Sequence, residues 1–288
     1  MNDFLLSALL GVVEGVTEFL PVSSTAHLRI TEALVGVDLG NGYWKMFTIV
    51  IQLGAIACLP IYFRARIAAF VASFVAAGRE GKPLLRHPLS LTLIAFVVTA
   101  VPSLLLVKVI GKNLESLVVM SCSLIVGGIV MWVVDALYAR QRLRTRTEQM
   151  EQMGLGQAVW VGFCQIFSAV FPGVSRSMST IAGGQLAGMT RASALEFSFF
   201  LSMPTMLAAT GYDLLKTLRD AHRSPLGAVQ VGAHGWMLLA IGFVVSFVVA
   251  YGVVAWFMSW VRTRGFVPFA VYRIAAGAAV LLWAARIV

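Results

Sequence analysis

Residues 14–27 carry side chains that could do chemistry inside an otherwise apolar sequence. They are two glutamates before Pro21, and three hydroxyl residues and a histidine after it: Glu14, Glu18, Ser23, Ser24, Thr25 and His27. Glu14 and Glu18 are four residues apart, so a helix would place both carboxylates on one face. Pro21 would then end or kink that helix. Carboxylates beside hydroxyls and an imidazole can transfer protons, hold a hard cation or activate a nucleophile.

A second polar cluster, PGVSRSMST at 172–180, lies in the other half of the chain. Its Arg176 carries a planar, permanently charged guanidinium that suits the oxygens of a phosphate group. The neighbouring hydroxyls add donors, as do the backbone N–H groups at the start of a following short helix. These groups predict an anion site. An anion site facing the acids, hydroxyls and imidazole of the first cluster would be typical of phosphoryl transfer.

The composition places these clusters in a membrane. Of the 288 residues, 59% are apolar and only 12% are charged, against about 25% charged in a typical soluble domain. An ionised acid at bilayer depth costs roughly 2.5–3.5 kcal/mol, so acids there indicate function. The net charge of +9 could suit nucleic acid. We predict no nucleic-acid partner, because the basic residues lie in short loops between apolar runs, as in membrane proteins.

Eight apolar runs must position the two clusters. Six are long enough to span a bilayer, at 43–63, 88–110, 116–138, 191–212, 236–260 and 266–286. The other two, 4–20 and 155–171, each lead into a proline and a polar turn. A short helix is predicted after each turn, at 24–37 and up to Gly188. Residues 64–86 predict a basic loop with a helix lying in the membrane interface, and 139–153 predict a polar loop.

The chain also contains an internal repeat. Residues 11–21 align without gaps to 162–172, which places Glu14 on Gln165 and Pro21 on Pro172. If each broken helix enters and returns on one face, each half has three spans and the second half is inverted. The simpler alternative is that both broken segments span the membrane, which would give eight transmembrane segments. The polar residues after each proline favour the first interpretation, because irregular backbone at membrane depth needs protein or a cavity around it.

These patterns predict an all-α polytopic membrane protein with two inverted-topology repeats, each a re-entrant helix pair plus three transmembrane helices. The chain would form one integral membrane domain over 1–288. Repeat one would cover 1–138, a basic cytoplasmic loop 139–153, and repeat two 154–288. The side richer in Lys and Arg should be cytoplasmic, so both termini would lie outside. Two re-entrant pairs from opposite faces would bring the clusters together near the midplane.

The stretches EGVTEFLPVSSTAHL (14–28) and PGVSRSMST (172–180) resemble the two signatures of the undecaprenyl-diphosphate phosphatase family of the bacitracin-resistance type. FTIVIQLGA and EFSFFLSMP (47–55 and 196–204) are similar to the segments that follow each signature in that family. The resemblance covers essentially the whole chain. It implies hydrolysis of undecaprenyl diphosphate to undecaprenyl phosphate and inorganic phosphate. That reaction recycles the lipid carrier of peptidoglycan synthesis and confers bacitracin resistance.

The resemblance also implies a setting and partners. The protein would lie in the bacterial plasma membrane, with its active site open to the outer, periplasmic side. Its activity would depend on a divalent cation, Mg²⁺ or Ca²⁺. Its partners would be the polyprenyl diphosphate substrate and membrane lipids, and the oligomeric state is left open, a dimer included.

The residues are assigned to four roles. The catalytic group is Glu14, Glu18, Ser24, His27 and Arg176. The diphosphate-binding group is Ser23, Thr25, Gly173, Ser175, Arg176, Ser177 and Thr180. Gln52, Gln165 and Glu196 are assigned to support, and Glu14 and Glu18 to a metal. The preferred nucleophile is Ser24 with His27 as its base, and the alternatives are His27 itself or a water that it activates.

Some of these residues also have a purely structural interpretation. A lone Ser or Thr in a membrane helix usually bonds its own backbone, and Glu14 with Arg176 could be a structural ion pair. Arg273 in the last span is left unassigned. A polyprenyl-phosphate flippase or transporter is the alternative function, because inverted repeats with broken helices are also transporter architecture.

Overall fold

The computed structural model describes residues 2–37, 42–106, 116–140, 147–219 and 232–287. Within these ranges the chain forms eleven α-helices and two short 3₁₀ turns, and its only β pairing is an isolated bridge between Thr147 and Met189. The predicted all-α class is therefore confirmed. The helices are α1 (Asp3–Thr17), α2 (Ser24–Leu34), α3 (Gly42–Tyr62), α4 (Arg64–Arg79), α5 (Pro88–Leu105), α6 (Leu117–Ala139), α7 (Leu155–Val170), α8 (Arg176–Leu186), α9 (Arg191–Arg219), α10 (Ala233–Thr263) and α11 (Val267–Ile287).

Six of these helices, α3, α5, α6, α9, α10 and α11, are long and apolar enough to cross a membrane. They coincide with the six spans predicted from the sequence. The largest difference is that α9 continues to Arg219, past the predicted end at 212. The ends predicted at 107–110, and residues 141–146 of the predicted loop, lie outside the described residues. The helix predicted within 64–86 is α4, a largely exposed helix that buries only Phe70.

The two broken helices are also present. Helix α1 ends one turn before Pro21, which has no N–H to donate to the carbonyl of Thr17. Helix α2 then begins at Ser24. In the second half, α7 ends at Val170 and α8 begins at Arg176. Each half therefore contains a helix, a proline-containing turn and a short second helix, as the repeat predicted.

The short helices α2 and α8 start with the same unusual cap. Ser23 and Ser175 have φ of 74° and 75°, the only positive φ values outside glycine in the described ranges. Each serine hydroxyl accepts a hydrogen bond from a backbone N–H three residues on, that of Ala26 at 3.5 Å and that of Met178 at 3.3 Å. Such backbone costs on the order of 1–3 kcal/mol and persists only where its surroundings impose it.

Small residues allow each broken helix to pack closely on a span from the other half. A Cβ added at Gly15 of α1 would lie 2.8 Å from the carbonyl oxygen of Ser246 in α10. A Cβ added at Gly162 of α7 would lie 2.5 Å from the carbonyl oxygen of Ala95 in α5. Because glycine removes these clashes, the backbones approach directly. The two turns are therefore fixed between both halves of the chain.

Candidate active site

Glu18 is the C-cap residue of α1, and its carboxylate joins the two polar clusters. Its Oε2 accepts a hydrogen bond of 2.6 Å from the hydroxyl of Ser24. Its Oε1 lies 3.1 Å from Nη2 of Arg176 on α8. Only 4% of the Glu18 side chain and 10% of the Arg176 side chain are exposed. Acid, hydroxyl and guanidinium thus form one contiguous, largely desolvated array from both halves of the chain.

The guanidinium of Arg176 has donors to spare. Nη1 donates a long hydrogen bond, 3.4 Å, to the carbonyl oxygen of Ser198 in α9. Nε is buried and finds no acceptor in the described part of the chain. A buried polar group without a partner is rare in a finished structure and needs an explanation. An incoming phosphate oxygen would provide that acceptor in the planar geometry that arginine favours.

Glu14 lies one helical turn before Glu18 and is completely buried. Neither of its carboxylate oxygens has a hydrogen-bond partner among the described residues. Burying an uncompensated carboxylate is strongly unfavourable, so this group needs either a proton or a cation. Unpaired carboxylate oxygens beside Glu18 fit a hard divalent cation, which prefers oxygen ligands.

The described residues hold no group of three or more His, Cys, Asp or Glu side chains arranged for a metal ion. Within the described part of the chain, Glu14 and Glu18 could therefore serve as carboxylate ligands, without a third such side chain beside them. Magnesium sites of phosphoryl-transfer enzymes commonly use one or two carboxylates and take the remaining ligands from substrate phosphates and water. The residues present fit that arrangement.

Neither ring nitrogen of His27 is hydrogen-bonded to Ser24. Its Nδ1 lies 2.7 Å from the carbonyl oxygen of Ser23, and its Nε2 lies 2.6 Å from the hydroxyl of Tyr272 on α11. In this structure the imidazole is therefore bonded to Ser23 and Tyr272 and not to Ser24, and the role of His27 as the base of Ser24 stays a prediction. The physical reason for the contact with Ser23 is the cap: the Ser23 carbonyl accepts from both the backbone N–H and the ring of His27. The hydroxyl of Ser24 instead donates to Glu18.

The other predicted phosphate-binding groups lie at the junction of the two turns. The hydroxyl of Ser177 donates to the carbonyl oxygen of Leu20, 2.9 Å away, and Thr180 shares a 2.6 Å hydrogen bond with Ser198. Both are buried, so in this structure they brace the turns. Ser23 and Ser175 cap the short helices, Thr25 is exposed on the first turn of α2, and Gly173 is buried with φ of 93°.

The residues predicted to support the site are dispersed. Gln165 is buried on α7, where Nε2 donates to the hydroxyl of Thr205 at 3.1 Å and Oε1 lacks a partner in the described ranges. Glu196 lies in a separate ion-pair cluster, with Arg66 Nε 2.7 Å from its Oε1 and Glu151 on the same guanidinium. Gln52 is partly buried on α3. A supporting role for these three residues stays a prediction. Of the three, only Gln165 has a buried side-chain atom without a partner.

Sequence reasoning left Arg273 unassigned, although the structure gives it a central position. The side chain is completely buried in α11. Its guanidinium donates to the carbonyl oxygens of Pro21 at 2.9 Å, Gly173 at 3.0 Å and Val174 at 2.9 Å. It also reaches two carbonyl oxygens of α6, those of Ser123 and Leu124. One arginine therefore ties the first turn to the second.

Arg273→Lys is expected to destabilise this junction. Lysine keeps the charge but loses the planar fork, so several buried carbonyls would lose their donor at roughly 1–3 kcal/mol each. We expect a lower unfolding temperature in detergent and reduced activity. Arg262→Lys, at the exposed end of α10, is the matched control. An unfolding temperature equal to that of the control would show that the guanidinium does not hold the turns.

The fold and site define a class: a polytopic helical membrane protein with a buried acid, hydroxyl and guanidinium array built from both halves of its chain. Residues 7–279 match the model of the family described as bacitracin resistance protein BacA, so the chain belongs to that family.

Three curated relatives of this chain are named undecaprenyl-diphosphatase. An undecaprenyl-diphosphatase of Koribacter versatilis is 65% identical over 288 residues, covering 99% of this chain and all of the relative. One from Novosphingobium aromaticivorans is 44% identical over 292 residues, covering 99% of both chains. One from Caldanaerobacter subterraneus is 37% identical over 286 residues, covering 99% of this chain and 98% of the relative.

Proposed function

We infer that this protein is a bacterial, multi-pass membrane hydrolase that converts undecaprenyl diphosphate to undecaprenyl phosphate and inorganic phosphate. The reaction recycles the lipid carrier for peptidoglycan synthesis and confers bacitracin resistance. Membership of the family and the names of its relatives support this function. The observation that carries it is the contact of Glu18 with both Ser24 and Arg176, which puts a nucleophile, a proton acceptor and a phosphate ligand together.

The proposed reaction starts at Ser24. Arg176 binds the terminal phosphate, and the Ser24 hydroxyl gives its proton to Glu18 as the oxygen attacks the terminal phosphorus. The bond from that phosphorus to the bridging oxygen breaks, and undecaprenyl phosphate leaves. Water then attacks the phosphorus of the phosphoserine and gives a proton to His27. The bond from that phosphorus to the serine oxygen breaks, Glu18 returns its proton to Ser24, and inorganic phosphate leaves. Arg176 stabilises the charge that spreads over the phosphoryl oxygens in each transition state.

Glu14 and Glu18 are the proposed ligands of a divalent cation, Mg²⁺ or Ca²⁺, with diphosphate oxygens as further ligands. Glu18 would offer the cation one carboxylate oxygen, while its other oxygen takes the proton of Ser24. When bound, such a cation neutralises charge on the phosphates. The unpaired, buried oxygens of Glu14 support this assignment. Gln165, at the equivalent position of the second half, carries no charge, so only the first half supplies metal ligands.

Glu14→Gln is expected to raise the Mg²⁺ concentration needed for half-maximal activity by about tenfold or more, because it removes one negative ligand. The requirement should also rise as the pH falls, since carboxylate ligands must be ionised. Glu32→Gln is the matched control, because Glu32 is another buried glutamate but pairs with Arg29 on α2. If the Mg²⁺ titration of Glu14→Gln follows that of the control, Glu14 is not a ligand.

Phosphate release from undecaprenyl diphosphate by the purified protein in detergent tests the function itself. Detergent removes the two compartments that a flippase or transporter needs, so release there reports hydrolysis alone. We expect release that depends on the added cation. A folded protein that releases no phosphate with Mg²⁺, Ca²⁺ or other divalent cations would overturn the enzymatic function.

We propose that the two halves are inverted repeats, each with a re-entrant pair and three spans. The matched caps at Ser23 and Ser175 support this arrangement, as does the exchange of partners, in which α1 packs on α10 and α7 packs on α5. With three spans per half, the second re-entrant pair enters from the face opposite to the first. The active site would then open to the outer face, and both termini would lie outside.

Cysteine labelling tests this topology in a background without the three native thiols, Cys58, Cys122 and Cys164. Lys82→Cys lies in the exposed connection between α4 and α5, and Gly232→Cys lies just before α10. A membrane-impermeant reagent added outside whole cells should label Gly232→Cys alone, and Lys82→Cys should react only after permeabilisation. Labelling of both from one side would exclude the inverted arrangement.

A further inference from the structure

We propose that Tyr272 is a positioning residue for His27, acting with the Ser23 carbonyl to hold the imidazole in one tautomer and setting where Nε2 points. The proposal rests on the proposed function in one respect, because it assumes that His27 takes part in catalysis. Sequence reasoning gave Tyr272 no role. The contact itself joins α2 of the first half to α11 of the second.

The partners of His27 determine its tautomer. A backbone carbonyl oxygen can only accept hydrogen bonds, so the 2.7 Å contact with the Ser23 carbonyl requires a proton on Nδ1. In the neutral ring Nε2 then carries the lone pair. The 2.6 Å contact with Tyr272 must therefore be a hydrogen bond that the phenol hydroxyl donates to Nε2. Together the two bonds select one neutral tautomer and orient the ring.

The ring of Tyr272 adds a second constraint. The two ring planes are 15° apart with centroids 5.6 Å from each other, so the rings are stacked. Tyr272 immediately precedes Arg273, whose guanidinium is bonded to the Pro21, Gly173 and Val174 carbonyls. Because Arg273 fixes this turn of α11 against both polar turns, the hydroxyl of Tyr272 is held at a defined place beside His27.

A phenol suits this position in both protonation states of the histidine. Its hydroxyl donates to the lone pair of a neutral Nε2, and it can rotate to accept from Nε2–H once the imidazole has gained a proton. Tyr272 can therefore keep His27 oriented before and after a proton transfer. Phenylalanine would preserve the stacked ring and lose both hydrogen bonds, so Tyr272→Phe isolates the hydroxyl.

Imidazole ¹⁵N spectra of a protein whose only histidine is His27 test the proposal without an activity assay. The other three histidines, His87, His222 and His234, are replaced by Asn, which keeps a cap acceptor at the start of α5. At a pH well above the ordinary histidine range, we expect one tautomer, protonated at Nδ1. In Tyr272→Phe the Nε2 resonance should shift, because that nitrogen loses the phenol donor, while the Ser23 carbonyl still favours a proton on Nδ1. Identical spectra for parent and variant would overturn the proposal.

Kinetics of Tyr272→Phe in the otherwise native chain supply the second arm. We expect kcat to fall by about tenfold with little change in KM, less than the roughly 10²–10⁴-fold cost of a lost general base. Tyr251→Phe is the control, because Tyr251 is similarly exposed in α10 and packs edge-on against Tyr62. An unchanged kcat together with a shifted spectrum would overturn the catalytic part of the proposal. If Tyr272→Phe shifts the spectrum but the parent protein releases no phosphate, the positioning role is supported and the phosphatase function is refuted.

Discussion

Arg176→Lys is expected to lower kcat/KM for undecaprenyl diphosphate by roughly a hundredfold or more, the scale of losing one preorganised donor to transition-state charge. Lysine keeps the charge at this position but cannot present two parallel N–H donors to a phosphate. It also loses the buried Nε–H, which has no acceptor elsewhere in the described residues. The measurement is steady-state phosphate release by purified protein.

The matched control for Arg176→Lys is Arg264→Lys. Arg264 lies over the ring of Trp260 at the end of α10 and is exposed, so its replacement should leave kcat/KM near that of the parent protein. Comparable unfolding temperatures for the two variants would show that the loss concerns phosphate binding. If Arg176→Lys retains activity within a few-fold of the parent, the guanidinium fork does not bind the reacting phosphate.

Ser24→Ala is expected to have a larger effect than Arg176→Lys. We expect kcat/KM to fall by more than about a thousandfold, because the change removes the proposed nucleophile. The Glu18 carboxylate would remain beside Arg176, but no hydroxyl would be left to give it a proton. Ser73→Ala is the control, since Ser73 bonds the Phe70 carbonyl on α4. If Ser24→Ala keeps a tenth or more of the activity, Ser24 is not the nucleophile, and a water molecule or His27 must take that role.

The sequence was sufficient to predict the features that follow from local patterns. Long apolar runs predicted the six spans, and Pro21 and Pro172 predicted the two breaks, because a proline cannot continue the hydrogen bonding of a helix. The repeat then implied that the two polar turns would meet, and the contact between Glu18 and Arg176 confirms that they do.

The partners of individual side chains could not be predicted, because they depend on backbone geometry and distant contacts. The positive φ at Ser23 decides which way the turn presents its carbonyl, and hence that His27 bonds this carbonyl and not Ser24. Nothing in the sequence around Ser23 indicates that φ value. The pairing of Ser24 with Glu18 follows from the same turn.

Arg273 and Glu196 show the same limit over longer range. The carbonyl acceptors of Arg273 come from three segments far apart in the chain. Because every residue has a backbone carbonyl, the sequence does not indicate which ones an arginine will bind. Glu196 follows the second polar cluster in sequence, yet its partner is Arg66 of α4. Adjacency in sequence suggested that Glu196 supports the site. Its actual contact depends on the approach of α4 to α9, where the ring centroids of Phe70 and Phe200 are 5.4 Å apart.

A double-variant comparison of Glu18→Gln and Arg176→Lys tests most directly whether the two halves form one catalytic unit. The two side chains lie 3.1 Å apart, one from each half of the chain. Residues that act as a unit give strongly non-additive losses. We therefore expect kcat/KM for phosphate release by the double variant to stay within a few-fold of that of the less active single variant. A loss equal to the product of the two single losses would contradict a shared site.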